Sequence, residues 1–108
     1  LVVPSLWVYE VTNVLLVAAR RGRMTREAGR QAFDDIMAVD VRLIDPPRDK
    51  VYEQAERYNI SAYDAAYLTL AFELDILLWT GDHRFYNAVQ GHVDFVNWIG
   101  DYQSDDRK

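Results

Sequence analysis

Ile76-Leu77-Leu78-Trp79 is an unbroken apolar run, fenced by Asp75 before it and Gly81 shortly after. Successive side chains of a strand point to opposite faces, so a strand made only of apolar residues must be covered on both sides. Strands of that kind belong to parallel sheets. Parallel neighbours cannot be joined by a tight hairpin and need crossover connections, usually helices. The run therefore directs the chain toward a layered α/β fold rather than a bundle or an antiparallel sandwich.

The flanking segments follow that grammar. Leu1-Val2-Val3-Pro4 reads as the end of a short strand, and Ser5 is placed to cap a helix from Leu6 to Ala19. Trp7, Val11, Val14, Leu15 and Ala18 share one face of that helix, which Arg20-Arg21-Gly22 closes. Thr25 caps a second helix through about Ala38, with Ala28, Ala32, Phe33, Ile36 and Met37 as its apolar side. The short turn at Gly22 predicts that the two helices form a hairpin. Val39 to Ile44 alternates apolar and polar residues as a strand does, and Pro46-Pro47 ends it. Helices are expected from Arg48 to about Tyr58 and, after a break at Asn59-Ile60, from Ser61 to about Leu74. The spacing of Ser61 and Asp64 resembles a capping box. A short helix over Arg84–Val89 and a last strand over Val93–Val96 complete the order. The whole reads as a single domain over 1–102 with a polar tail at 103–108.

Composition narrows the function. Half of the 108 residues are hydrophobic and 27% are charged, the balance of a folded globular chain, and no apolar run is long enough to span a bilayer. The chain has no Cys, which removes disulfides, thiolate metal sites and a thiol nucleophile together. The net charge of −5 argues against a protein that coats nucleic acid. The charge is unevenly spread, however. Arg20, Arg21, Arg23, Arg26 and Arg30 stand against the single acid Glu27, which leaves seven Lys/Arg against sixteen Asp/Glu elsewhere. That basic segment is either a phosphate-facing edge or a solvated hairpin whose Arg residues pair with Asp34 and Asp35.

Three carboxylates occupy positions that packing alone would not choose. Glu10 is spaced with Trp7, Val11 and Val14 inside the apolar stripe of the first helix, where an unpaired acid would lose hydration. Asp64 lies in the first turn of its helix. Asp82 follows the apolar run in Thr80-Gly81-Asp82, at the carboxyl end of a strand, where α/β sheets bind ligands. Each has an ordinary alternative: an edge position paired with Arg for Glu10, a favourable charge at a helix N-terminus for Asp64, and a helix cap for Asp82. Acids gathered closely repel one another unless a cation screens them, and oxygen-only ligands suit Mg²⁺ or Mn²⁺. His83 and His92 lie in turn-like sequence and neither is read as a metal ligand; His83, next to Asp82, is read as a surface residue, with contact to substrate as the alternative.

These segments resemble those of the PIN-domain ribonucleases, specifically the VapC-like toxins of toxin–antitoxin pairs. The similarity rests on Pro4–Leu15, on Ser61–Ala71 and on Leu77–Phe85, in that order. It implies an α/β fold with a PIN-like, mostly parallel sheet flanked by helices. It further implies a Mg²⁺- or Mn²⁺-dependent endoribonuclease that cleaves structured RNA such as tRNA or rRNA in the cytoplasm. Glu10, Asp64 and Asp82 would be the catalytic metal ligands, supported by Asn13 and the Thr80 hydroxyl. Arg84, with Arg20, Arg21 and Arg23, would contact RNA. The implied partners are the RNA substrate, a VapB-like antitoxin held by the first helices, and a second copy in a homodimer, with no membrane.

Aligned to this family, Leu1 falls just before the helix of Glu10. The family's first strand and its Asp ligand would precede it, so the fold is expected to be N-terminally incomplete. Metal binding and cleavage by these 108 residues alone are expected to be weak. The alternative is a non-catalytic PIN-like fragment that serves dimerisation or antitoxin binding. A phosphatase or nuclease of another α/β family would use the same acids, but the sequence has neither a phosphate-cradling Gly loop nor a Ser, Cys or His nucleophile motif.

Overall fold

Pro4 ends a short extended entry, Val2–Val3 (β1), and turns the chain directly into its first helix, Leu6–Arg20 (α1). The computed structural model describes residues 1–102; the tail at 103–108 lies outside the described residues. The chain divides after Asp45 into two compact units.

In the first unit, α1 is followed by Arg26–Met37 (α2) and Arg42–Leu43 (β2), and the two helices pack on each other. The stop of α1 has a local cause. Gly22 takes φ +72°, and the N–H groups of Gly22 and Arg23 turn back to the carbonyls of Ala19 and Ala18 at 3.1 and 2.9 Å. This is the Schellman arrangement, which a residue with a Cβ enters only with strain. Thr25 caps α2 as its sequence position implies, its hydroxyl accepting from the Ala28 N–H at 3.0 Å. Gly29 is buried in α2, where a Cβ would lie 3.4 Å from the Met24 Sδ, 3.8 Å from the Ala19 Cβ and 3.9 Å from the Leu15 carbonyl, ordinary contact distances that an alanine would fill.

Strand β1 pairs in parallel with β2, Val2 opposite Arg42 and Val3 opposite Leu43. Of the expected strand over Val39–Ile44, only Arg42 and Leu43 are paired as strand in the structure. Ser5 is not the side-chain cap expected of it. Its backbone is already helical, and its Oγ lies 2.8 and 2.7 Å from the two carboxylate oxygens of Asp45, while its N–H donates to Asp45 Oδ1 at 2.8 Å. Those bonds hold the Asp45 carboxyl below its ordinary range, the backbone N–H contributing most.

The second unit contains Arg48–Tyr58 (α3), Ala62–Leu74 (α4), Leu78–Thr80 (β3), His83–Val89 (α5) and Val96–Trp98 (β4). A short 3₁₀ turn, Ile99–Asp101, follows. The break at Asn59-Ile60 is as expected. Asn59 adopts φ 53°, and the Ile60 N–H bonds to the Ala55 carbonyl at 3.1 Å. Helix α4 ends the same way with Asp75 at φ 53°. Lys50 joins α3 to α4 by donating to Glu73 Oε1 at 2.7 Å, a bond that raises the Lys50 pKa.

Strands β3 and β4 are parallel, with Leu78, Trp79 and Thr80 opposite Val96, Asn97 and Trp98. Parallel pairing agrees with expectation, but both strands sit further along the chain than predicted. Ile76 and Leu77 are exposed and precede the ladder, since the capping turn at Asp75 uses the Ile76 N–H. The last strand is Val96–Trp98 rather than Val93–Val96, because Val93 is spent on a turn bond to Val89. The apolar run is therefore not a strand sealed on both faces; its paired residues are half-buried. The core of this unit is Leu68, Phe85, Val89 and Val96, with Leu78, Tyr86 and Phe95 against it. Together the elements form the mixed α/β fold with parallel strand pairs that the sequence implied.

Candidate active site

Asp82 is held by the start of the helix that follows it. It is the cap of α5: its Oδ1 accepts from the N–H groups of Arg84 and Phe85 at 2.9 and 3.2 Å. Its own N–H donates to the Thr80 hydroxyl at 3.0 Å. Thr80 in turn is the last residue of β3, fixed opposite Trp98 by the ladder. The structure thus brings Thr80 and Asp82 together as expected and realises the helix-capping alternative for Asp82. The two roles are compatible, because the cap uses Oδ1 and turns the exposed carboxylate about a fixed anchor.

Asp64 stands half-buried in the first turn of α4, directly above the buried pair Ala65 and Ala66. Its N–H donates to the Ser61 hydroxyl at 3.0 Å, one half of the predicted capping box. Glu10 lies on α1 and is exposed, as is Asn13 one turn on. Its neighbours in the supposed apolar stripe differ. Trp7 and Val11 are half-buried, whereas Val14 is 68% exposed. Glu10 is therefore not a buried acid in an apolar face but part of an exposed one. With Asn13, Val14 and Arg23 it borders a shallow depression of about 490 Å³.

Among the described residues, neither unit gathers three Asp, Glu or His side chains by itself into a metal site. Glu10 and Asn13 belong to the first unit, and Asp64, Thr80 and Asp82 to the second. The donor chemistry still fits a hard divalent cation. The candidates offer carboxylate oxygens and no sulfur, and Mg²⁺ accepts one or two carboxylates while keeping several waters.

The cationic candidates are all at the surface. Arg20, Arg21, Arg23 and Arg84 are exposed, and Arg30 pairs with Asp34 at 3.5 Å in a solvated i,i+4 bridge. Such a solvated pair contributes under about 1 kcal/mol to stability. One feature went unread in the sequence. The ring of His83 stacks on the indole of Trp98, centroids 4.2 Å apart and planes 29° from parallel. Fifteen residues separate them, and only the register of β3 with β4 brings them together.

Residues 1–90, which include all three acids, match the PIN domain family. The chain belongs to the PIN-domain family. Two proteins that it matches carry VapC names. It is 30% identical over 94 residues to "Exonuclease VapC9" of Pyrobaculum aerophilum, a match covering 87% of this chain and 71% of that protein. It is 37% identical over 86 residues to "Ribonuclease VapC1" of Mycobacterium tuberculosis, covering 79% of this chain and 65% of that one. The fold agrees with the crystal structure of PAE2754 from Pyrobaculum aerophilum at a TM-score of 0.74 and 27% identity, over 92% of this chain and 71% of that one. The chain thus spans 65% to 71% of the length of these relatives, as a VapC-like PIN-domain protein.

Proposed function

We propose that this VapC-like PIN protein is a divalent-metal-dependent endoribonuclease toxin that cleaves structured RNA such as tRNA or rRNA in the cytoplasm. Glu10, Asp64 and Asp82 are the acids that hold the cation, Mg²⁺ or Mn²⁺. The observation that carries this reading is the family match across 1–90, a span that contains all three acids, together with the anchored carboxylate of Asp82. The ribonuclease name of the mycobacterial relative supports RNA as the substrate class.

A cation bound there would supply an activated water and neutralise charge developing on the phosphodiester. The chain's own residues supply the rest. Thr80 fixes the backbone of Asp82 through its N–H, and the helix cap fixes the carboxylate. Asn13 stands one turn from Glu10 on the same helix and orients groups beside it. Arg84, exposed two residues beyond Asp82, neutralises substrate phosphate.

The partners follow from surface chemistry. Between α1 and α2 lies an open groove of about 730 Å³, with Leu15, Leu16 and Phe33 as apolar lining and Arg20, Arg26 and Arg30 among its polar residues. An acidic amphipathic segment of a VapB-like antitoxin suits both features. Tyr9, Val14 and Leu16 leave apolar surface of α1 uncovered, which supports a homodimer.

The test is cleavage of a structured RNA by the protein carrying this sequence, with Mg²⁺, with EDTA, and as Asp64→Asn. Asn preserves the size of the side chain but not the charge. The expected result is cleavage in Mg²⁺, none in EDTA, and a loss of at least about tenfold in Asp64→Asn with an unchanged melt. Cleavage that persists in EDTA, or in folded Asp64→Asn, rejects the metal mechanism.

A further inference from the structure

The stacked rings of His83 and Trp98 stand at the same end of the β3–β4 pair as Asp82. His83 follows Asp82 in the chain and opens α5, while Trp98 is the ladder partner of Thr80. The indole is half-buried and held from several sides. Tyr86 meets it at a centroid distance of 5.9 Å, and Gly100 lies so close that a Cβ there would stand 2.7 Å from Nε1 and 2.9 Å from Cδ1. The imidazole is exposed. An exposed ring backed by a fixed, half-buried indole keeps its outer face toward solvent in one orientation. That is the form of a nucleobase-stacking surface, because every base offers a π-face and stacking needs no hydrogen-bond code. Nothing in the core of this unit requires the pair: the buried cluster is Leu68, Phe85, Val89 and Val96, and His83 is not among the side chains packed on it.

We propose that the His83–Trp98 stack is a platform for one unpaired base of the RNA, which seats the neighbouring phosphate beside Asp82. This rests on the ribonuclease reading and adds to it a specificity element for single-stranded or splayed-out nucleotides. His83 makes the contact, and Trp98 and Gly100 hold its ring in place.

The experiment is fluorescence anisotropy of a labelled single-stranded RNA of about ten nucleotides, in EDTA to prevent cleavage. It compares the wild type with His83→Ala, His83→Phe and Gly100→Ala, each checked by thermal melt. A second RNA of equal length lacks all its bases but keeps its phosphates. His83→Ala is expected to weaken binding of the intact RNA roughly 5- to 100-fold, the scale of one base–aromatic stack. His83→Phe is expected to stay within about twofold of wild type, since a flat ring remains. Gly100→Ala, which pushes the indole aside, is expected to weaken binding in the direction of His83→Ala. The abasic RNA is expected to bind all four proteins alike. Wild-type affinity in His83→Ala, or an equal loss on intact and abasic RNA, overturns the platform and leaves the ribonuclease reading standing. Wild-type protein that binds neither RNA also overturns the platform, while the ribonuclease reading is decided separately by the cleavage test in Mg²⁺.

Discussion

Helices α1 and α4 are both rich in apolar residues, yet they end in different surroundings. In α4, Ala65, Ala66, Leu68, Thr69, Leu70 and Ala71 are all buried, and the helix packs on α3 and β3. In α1 no residue is fully buried, although it carries Leu6, Trp7, Val8, Val11, Val14, Leu15, Leu16 and Val17. Apolar content alone does not decide burial. The three buried Ala of α4, Ala65, Ala66 and Ala71, let neighbours approach closely, and a helix apolar on several sides is stable in water only when several sides are covered. Helix α1 presents larger side chains, among them the 75% exposed Tyr9 and the 68% exposed Val14. The first is built as an internal wall of its unit. The second keeps larger apolar side chains at the surface of its unit, and each carries one candidate acid.

The largest effect expected from this contrast is on stability. Leu68 is 1% exposed, so Leu68→Ala should cost about 2–5 kcal/mol by chemical denaturation, from lost transfer energy and the cavity left behind. Leu16, 43% exposed on α1, should lose no more than about 0.5 kcal/mol as Leu16→Ala at low protein concentration. The comparison sharpens if the cost of Leu16→Ala grows with protein concentration, which is how a face covered by a second copy behaves. It breaks if Leu16→Ala costs as much as Leu68→Ala in a monomer.

A smaller effect separates the two duties of Asp82. Asn also caps helices, so Asp82→Asn should melt within about 0.5 kcal/mol of wild type, whereas Asp82→Ala should lose about 1 kcal/mol with the cap. Both should lose RNA cleavage, because both remove the charge. Retained cleavage in Asp82→Asn would confine Asp82 to the cap.

The smallest effect is the acid dependence of the Ser5–Asp45 contact. Bonds from Ser5 lower the Asp45 pKa from its ordinary 3.8, so the folded chain holds the ionised carboxylate more tightly than the unfolded chain does. That stabilisation is fully present above the unfolded value and is lost as pH falls below it through the lower folded value. Melts of wild type and Ser5→Ala should therefore differ at neutral pH and converge as pH drops below about 3.8. A constant difference over that range would remove Asp45 ionisation from the contact.

Much of this was legible from local chemistry. The helix ends at Gly22 and Asn59 and the Thr25 cap follow from neighbours in sequence. The strand positions did not. Composition marks Ile76–Trp79 as apolar, but only the turn at Asp75, which takes up the Ile76 N–H, sets where pairing begins. Ser5 departs from the side-chain cap its position implies because its partner, Asp45, lies forty residues away. Of the site, Thr80 and Asp82 were readable because they are two residues apart. The His83–Trp98 stack carries no periodic or spacing signal, and pairing register alone creates it.

A Mn²⁺ titration of the protein carrying this sequence, followed by the paramagnetic signal of the free ion, tests most directly whether one cation engages the three acids. Wild type is compared with Glu10→Gln, Asp64→Asn and Asp82→Asn, all confirmed folded by melt. Each replacement should weaken Mn²⁺ binding by at least about tenfold. Binding at wild-type affinity in any one of the three variants would contradict a shared ion.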